Sequence, residues 1–134
     1  MTAAQSTAER PRFKLKRPEI PESSIQAAVL EFLLYSPTVA WAHRMNSGGA
    51  HRIWEDEDGK QHKQYVKFAF RGCSDIIGQT RTGVFIAIEC KRRTGRGNDD
   101  QKAFVALVRR HGGLAGFARS IDDAQAILRG EIRD

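Results

Sequence analysis

Cysteine is scarce, with only Cys73 and Cys90 in 134 residues. Two cysteines with no CxxC spacing rule out a disulfide framework and read as small buried side chains in a reducing compartment. The four histidines, His43, His51, His62 and His111, form no HxH or HxxxH pair, so a metal site built from Cys and His is not expected. No run of 18 apolar residues occurs, and the start, Met1 to Ala8, lacks the basic and apolar regions of a secretory signal. We therefore expect no membrane span and a cytoplasmic protein. Acidic residues are also outnumbered, 16 against 22 Lys and Arg, and the net charge of +6 favours a polyanionic partner. The 40% of hydrophobic residues suffice for one core, and the length is that of one domain.

The charge is unevenly spread. Residues 1–17 carry five basic residues and one acid, so a net +4 sits on 17 residues, and the other 117 are only +2. Up to about Pro21 the sequence is polar, basic and broken by Pro11, Pro18 and Pro21, and the reading is a flexible basic arm over 1–20 followed by one domain over 21–134. From Glu22 the apolar residues Ile25, Ala28, Val29, Phe32 and Leu33 recur at helical spacing between Pro21 and Pro37. Val39 to Arg44 reads as a strand, and Asn46 to Gly49 as a turn. The acidic run Glu55 to Asp58 reads as a solvated hairpin tip or surface loop, with strands expected around Ile53 and from Tyr65 to Phe70. Val84 to Ile88 is continuously apolar, as a central strand covered on both faces would be. A helix capped by Asn98 or Asp99 follows to His111, then a strand from Leu114 to Ala118 and a helix from Ile121 to Leu128 opened by Ser120 and Asp123. The order predicts an α/β fold with a mixed sheet flanked by helices.

The chemistry concentrates in Asp75, Glu89 and Lys91. Side chains alternate along a strand, so Glu89 and Lys91 share a face and Cys90 points away. Asp75 lies 14 residues earlier across a tight hairpin, so two antiparallel neighbours can bring both carboxylates within reach of one ion. Hard divalent cations take such oxygen ligands and leave positions for water and phosphate. Lys91 could then orient or deprotonate a water, or neutralise charge on the phosphate. A Glu-x-Lys pair on a strand is otherwise an ordinary surface pair, and its place at the end of the most apolar strand separates the two readings.

These residues and their order resemble the PD-(D/E)xK nuclease superfamily, with a restriction-endonuclease-like core of αβββαβ order plus, here, a C-terminal helix. More closely, Glu22-Ser-Ser-Ile-Gln26, Gly72-Cys-Ser-Asp75, Glu89-x-Lys91, Gln101 and Val108-Arg109-Arg110-His-Gly-Gly resemble the VRR-NUC family, over roughly Glu22 to Ala124. The resemblance implies Asp75 and Glu89 as metal ligands with the Cys90 carbonyl as a third, and Lys91 as the catalytic lysine. It implies Glu22 as the carboxylate completing the cluster, Gln101 as a helix residue beside it, and Mg²⁺ or Mn²⁺ as cofactor. Ser74 departs from the pattern, standing where the superfamily name has proline. Gln26 follows the family pattern or is a half-buried helix residue; Asn46 and Ser47 touch phosphate or hold a turn. Arg44, which ends the first strand, is a candidate DNA contact, and Arg92, Arg93 and Arg96 could hold substrate phosphates beside the metal. Arg109 and Arg110 bind DNA or complement the helix dipole.

The resulting expectation is a metal-dependent, structure-selective DNA endonuclease acting on branched DNA such as four-way junctions. Stand-alone members of this kind resemble phage nucleases, so the setting is the cytoplasm of a bacterial or phage-infected cell. A homodimer is expected, since one small site nicks one strand and a symmetric junction needs two cuts. The competing readings are a non-catalytic DNA-binding accessory module, against which the intact Asp75, Glu89 and Lys91 speak, and a sequence-directed restriction-type enzyme, for which the chain has little room. An RNA substrate stays open.

Overall fold

The computed structural model describes residues 15–45, 49–67 and 69–134. Most of the basic arm, together with Asn46 and Ser47, thus lies outside the described residues. The first helix, α1 (Glu22–Tyr35), starts directly after Pro21, which needs no donor of its own at a helix entry, and buries Ile25, Val29 and Leu33 along one stripe. It stops at Ser36, whose hydroxyl donates to the Phe32 carbonyl at 2.7 Å before Pro37 forbids continuation.

Four strands form the main sheet: β1 (Val39–Arg44), β4 (Ile76–Thr80), β5 (Phe85–Cys90) and β6 (Leu114–Ala118), in the order β1-β4-β5-β6. The first three are antiparallel, whereas β5 and β6 are parallel and are joined through α2 (Asp99–Arg110). Strand alternation sorts β5 between two cores. Ile86, Ile88 and Cys90 pack with α1 and with α3 (Ile121–Leu128), while Ala87 joins Val105, Val108 and Phe117 under α2. The sheet is therefore covered on both faces, as the continuous apolar run of β5 predicts, and this produces the expected mixed α/β architecture. Among the described residues no helix is long and apolar enough to cross a membrane.

A separate two-stranded ribbon, β2 (Gly49–Glu55) with β3 (Gln61–Lys67), is inserted between β1 and β4. It differs from the expected hairpin in its second strand, which begins at Gln61 rather than Tyr65. The cause is the acidic tip. The Asp56 carboxylate accepts from the Asp58 and Lys60 amides at 3.0 and 2.9 Å, and Gly59 takes a φ of 78°, so the chain reverses at once. Pairing then resumes at Glu55 and Gln61. Asp56 thus builds the turn instead of merely solvating it, and His62 holds its carboxyl below the usual range from 2.6 Å.

Candidate active site

The register of the antiparallel pair places Ile76 opposite Ile88, so Asp75 at the mouth of β4 meets the end of β5. Its carboxylate accepts the Cys90 amide at 2.8 Å and its carbonyl accepts the Met45 amide at 2.6 Å. Three strand ends are thereby tied together around one acid. Asp75 is 5% exposed and Glu89 2%, two carboxylates withdrawn from water side by side. Lys91 Nζ stands 3.5 Å from Glu89 Oε1 with its side chain 13% exposed.

Glu89 lies on the α2 side of the sheet, where Gln101 Nε2 donates to Glu89 Oε1 at 2.8 Å. The same glutamine closes the capping box that opens α2. Its Oε1 accepts the Asn98 amide at 3.0 Å, and Asn98 Oδ1 accepts the Gln101 amide at 2.9 Å. One side chain therefore fixes both the start of a helix and the orientation of a carboxylate. Gln101→Ala is expected to cost about 1 kcal/mol of stability through the lost cap, and also to slow DNA cleavage. Gln101→Glu keeps the box but sets a third carboxylate against Glu89, so cleavage falls while the cap survives. Melting curves and cleavage rates for the two variants separate the roles.

The second oxygen, Glu89 Oε2, is buried and, like Ser74 Oγ, has no hydrogen-bond partner among the described residues. Burial first, and then the neighbouring Asp75 carboxylate, push the Glu89 carboxyl up to about 8, with Lys91 opposing. Two acids against one lysine leave an excess negative charge in a low-dielectric site, which such a site tolerates only by protonation or by gaining a cation. Oxygen donors, an unpaired carboxylate oxygen and excess negative charge are what a hard divalent cation fits.

Glu22 sits half-buried in the first turn of α1, the helix whose apolar stripe packs with Ile86, Ile88 and Cys90. Its charge acts on the Cys90 thiol, which is pushed up by burial first, then by Asp75, Glu89 and Glu22, with Arg44 acting oppositely. Among the described residues no group of three His, Cys, Asp or Glu gathers, so Glu22 is not brought into a cluster with Asp75 and Glu89. Gln26 is half-buried on α1 with its Oε1 unpartnered among the described residues, and Arg44 is exposed opposite Ile76. Arg92, Arg93 and Arg96 are exposed on the loop after β5, Arg92 pairing with Glu19 at 3.5 Å.

Arg109 has a different position. Its guanidinium donates to the carbonyls of Ala115 and Arg133 and to the Asp134 carboxylate at 2.8, 3.1 and 2.9 Å, tying α2 to β6 and to the last residues. Arg110 beside it is exposed. The sequence reading missed Arg119, which donates to the Gly95 carbonyl at 2.8 Å and holds the loop carrying the exposed arginines. Its only sequence signal is its place just after the last strand.

A mixed sheet whose adjacent strand ends present Asp75 and Glu89-x-Lys91 defines a nuclease of the PD-(D/E)xK superfamily. The VRR-NUC domain model matches residues 17–122, most of the chain, and the chain belongs to that family. It is a nuclease, a hydrolase acting on DNA. A search of curated proteins found no match.

Proposed function

We propose that the chain is a divalent-metal-dependent, structure-selective DNA endonuclease that hydrolyses phosphodiester bonds in branched DNA such as four-way junctions. The observation that carries the reading is the buried pair Asp75 and Glu89, with Glu89 Oε2 unpaired and Lys91 at 3.5 Å from the other oxygen. Asp75, Glu89 and the Cys90 carbonyl would hold Mg²⁺ or Mn²⁺, which when bound lowers the pKa of water and neutralises charge growing on the phosphate. Gln101 keeps Glu89 turned towards this position. Lys91, mostly buried and 3.5 Å from Glu89, orients the attacking water or stabilises the phosphate oxygens. Arg92, Arg93 and Arg96 hold the strand through its phosphates, and Arg44 and Arg110 extend that contact. Residues 1–20 add salt-dependent attraction to the backbone, and 21–134 form the nuclease domain.

The test is a panel of labelled four-way junction, flap, linear duplex, single-stranded DNA and RNA in Mg²⁺, Mn²⁺ or EDTA. Cutting of the junction in either metal and none in EDTA is expected. Binding without cutting across all conditions would promote the accessory-module reading, and fixed cuts in plain duplex the restriction-type reading.

The working unit is proposed to be a homodimer, because one centre cuts one strand. The ribbon supports this, since an isolated hairpin is marginal in water and it leaves Ile53 and Tyr65 64% and 53% exposed. A dimer mass by light scattering is expected, shifting to monomer in Ile53→Glu/Tyr65→Glu; a monomer at every concentration, with or without DNA, contradicts it.

A further inference from the structure

Behind the loop that follows β5 lies a cleft of about 700 Å³, bounded by α2 and by the end of β6. Five cations border it: Arg93, Arg96, Lys102, Arg109 and Arg119. Its floor is apolar, made by the buried Val105 and Phe117. Lys102, Val105 and Arg109 recur at helical spacing, so one stripe of α2 faces the cleft. Lys102 follows Gln101 by one residue, a turn of about 100° around the helix. The same first turn of α2 thus presents Gln101 to Glu89 and Lys102 to the cleft.

Two features make the cleft a formed site rather than a charged surface. The loop is held in place, because Arg119 grips the Gly95 carbonyl and the Phe117 ring lies so close to Gly97 that a Cβ there would collide with it. The cations are also only partly satisfied. Among the described residues no carboxylate forms an ion pair with Arg93, Arg96 or Lys102. Among the described residues the one carboxylate bordering the cleft is Asp134, 2.9 Å from Arg109, with its main-chain oxygen 2.9 Å from Arg119. That carboxylate is 74% exposed, so its pair with Arg109 is weak and readily exchanged for another anion. Cations converging in a concavity raise the local potential and select a multiply charged anion.

We propose that this cleft is a second phosphate site, which holds a phosphate group of the DNA substrate away from the bond that is cut, and that the Asp134 carboxylate fills part of it until DNA displaces it. The proposal rests on the nuclease reading for its choice of DNA as the anion. A backbone phosphodiester and a terminal phosphate share the chemistry that the arginines recognise.

The experiment measures binding rather than cleavage. The full chain carrying Lys91→Ala, in EDTA, is titrated with 5′-phosphorylated and 5′-hydroxyl DNA by fluorescence anisotropy over a range of salt. Adding Arg96→Gln/Lys102→Gln, both positions exposed, is expected to weaken binding roughly tenfold and to reduce the salt slope by about one to two. Adding Lys60→Gln at the ribbon tip controls for loss of charge alone and leaves the slope unchanged, and Asp134→Asn tightens binding. Preference for the 5′-phosphate that disappears in the double variant assigns a terminal phosphate; equal binding of both strands assigns a backbone one. If the double variant, melting like its parent, binds as the Lys60→Gln protein does, or if Asp134→Asn binds less tightly, the proposal is wrong. A protein that cuts no DNA but shows the expected binding changes overturns the nuclease reading alone.

Discussion

Glu89→Gln is expected to abolish cleavage and, in EDTA at pH 8, to raise the melting temperature. The glutamine keeps an oxygen for Gln101 Nε2 and gains an amide that can donate to Asp75, so hydrogen bonding survives while the charge is lost. Burial and Asp75 raise the folded-state value to about 8 from an ordinary 4.5. Between those values the folded chain keeps a proton that the unfolded chain has released, so stability without a metal falls as pH rises from 4.5 to about 8. Above that window the full cost of the buried charge is present, and the amide removes it. A cation that binds the ionised carboxylate should stabilise the parent more at pH 8 than at pH 5.5, and the variant little at either. Activity should fall by roughly 10²–10³-fold or more, the scale of losing a preorganised electrostatic group. Melting curves at both pH values with Mg²⁺ or EDTA, beside cleavage rates, check both halves. Normal cutting by the variant, or a lower melting temperature in EDTA at pH 8, would contradict the assignment.

Gly72→Ala is expected to damage the fold and the site together. Gly72 has a φ of 82°, and a Cβ there would collide with the Asp100 carbonyl. The left-handed conformation costs an L-residue about 1–2 kcal/mol, and relief of a backbone collision adds about 1–3 kcal/mol. The loop from Gly72 leads straight to Asp75, and Asp100 adjoins Gln101, so the strain pushes the start of α2 away from Glu89. We expect a melting temperature lower by roughly 10 °C and loss of cutting even where the variant is folded. Gly112→Ala is the control, since it shares a positive φ of 85° but has nothing within 4 Å of the added Cβ. It should show the conformational cost alone and keep its activity. Equal effects at the two glycines would remove the argument from close approach.

Most elements of the main sheet and its helices were legible in the sequence because each carries a local signal. The stripe Ile25, Val29 and Leu33, the apolar run ending at Glu89, and the caps Asn98 and Ser120 all act within a few residues. Strand β3 was not legible at its start, since Gln61 to Gln64 is polar throughout and its pairing is imposed by the turn that Asp56 builds. The meeting of Asp75 with Glu89 follows from hairpin register, and so could be read in advance. The side of the sheet on which α1 lies is a tertiary matter, so the sequence did not tell that the helix carrying Glu22 packs on the Cys90 face. Arg119 and Asp134 form the cleft only because the last residues fold back over α2, which no spacing records.

The most direct test of the central claim compares the parent with Lys91→Ala in single-turnover cleavage of a four-way junction in Mg²⁺, with DNA binding measured in parallel. A rate lowered by about 10²-fold or more, with junction affinity within a few-fold of the parent, is the predicted result. Cutting at the parent's rate by Lys91→Ala would show that the chemistry lies elsewhere in the chain.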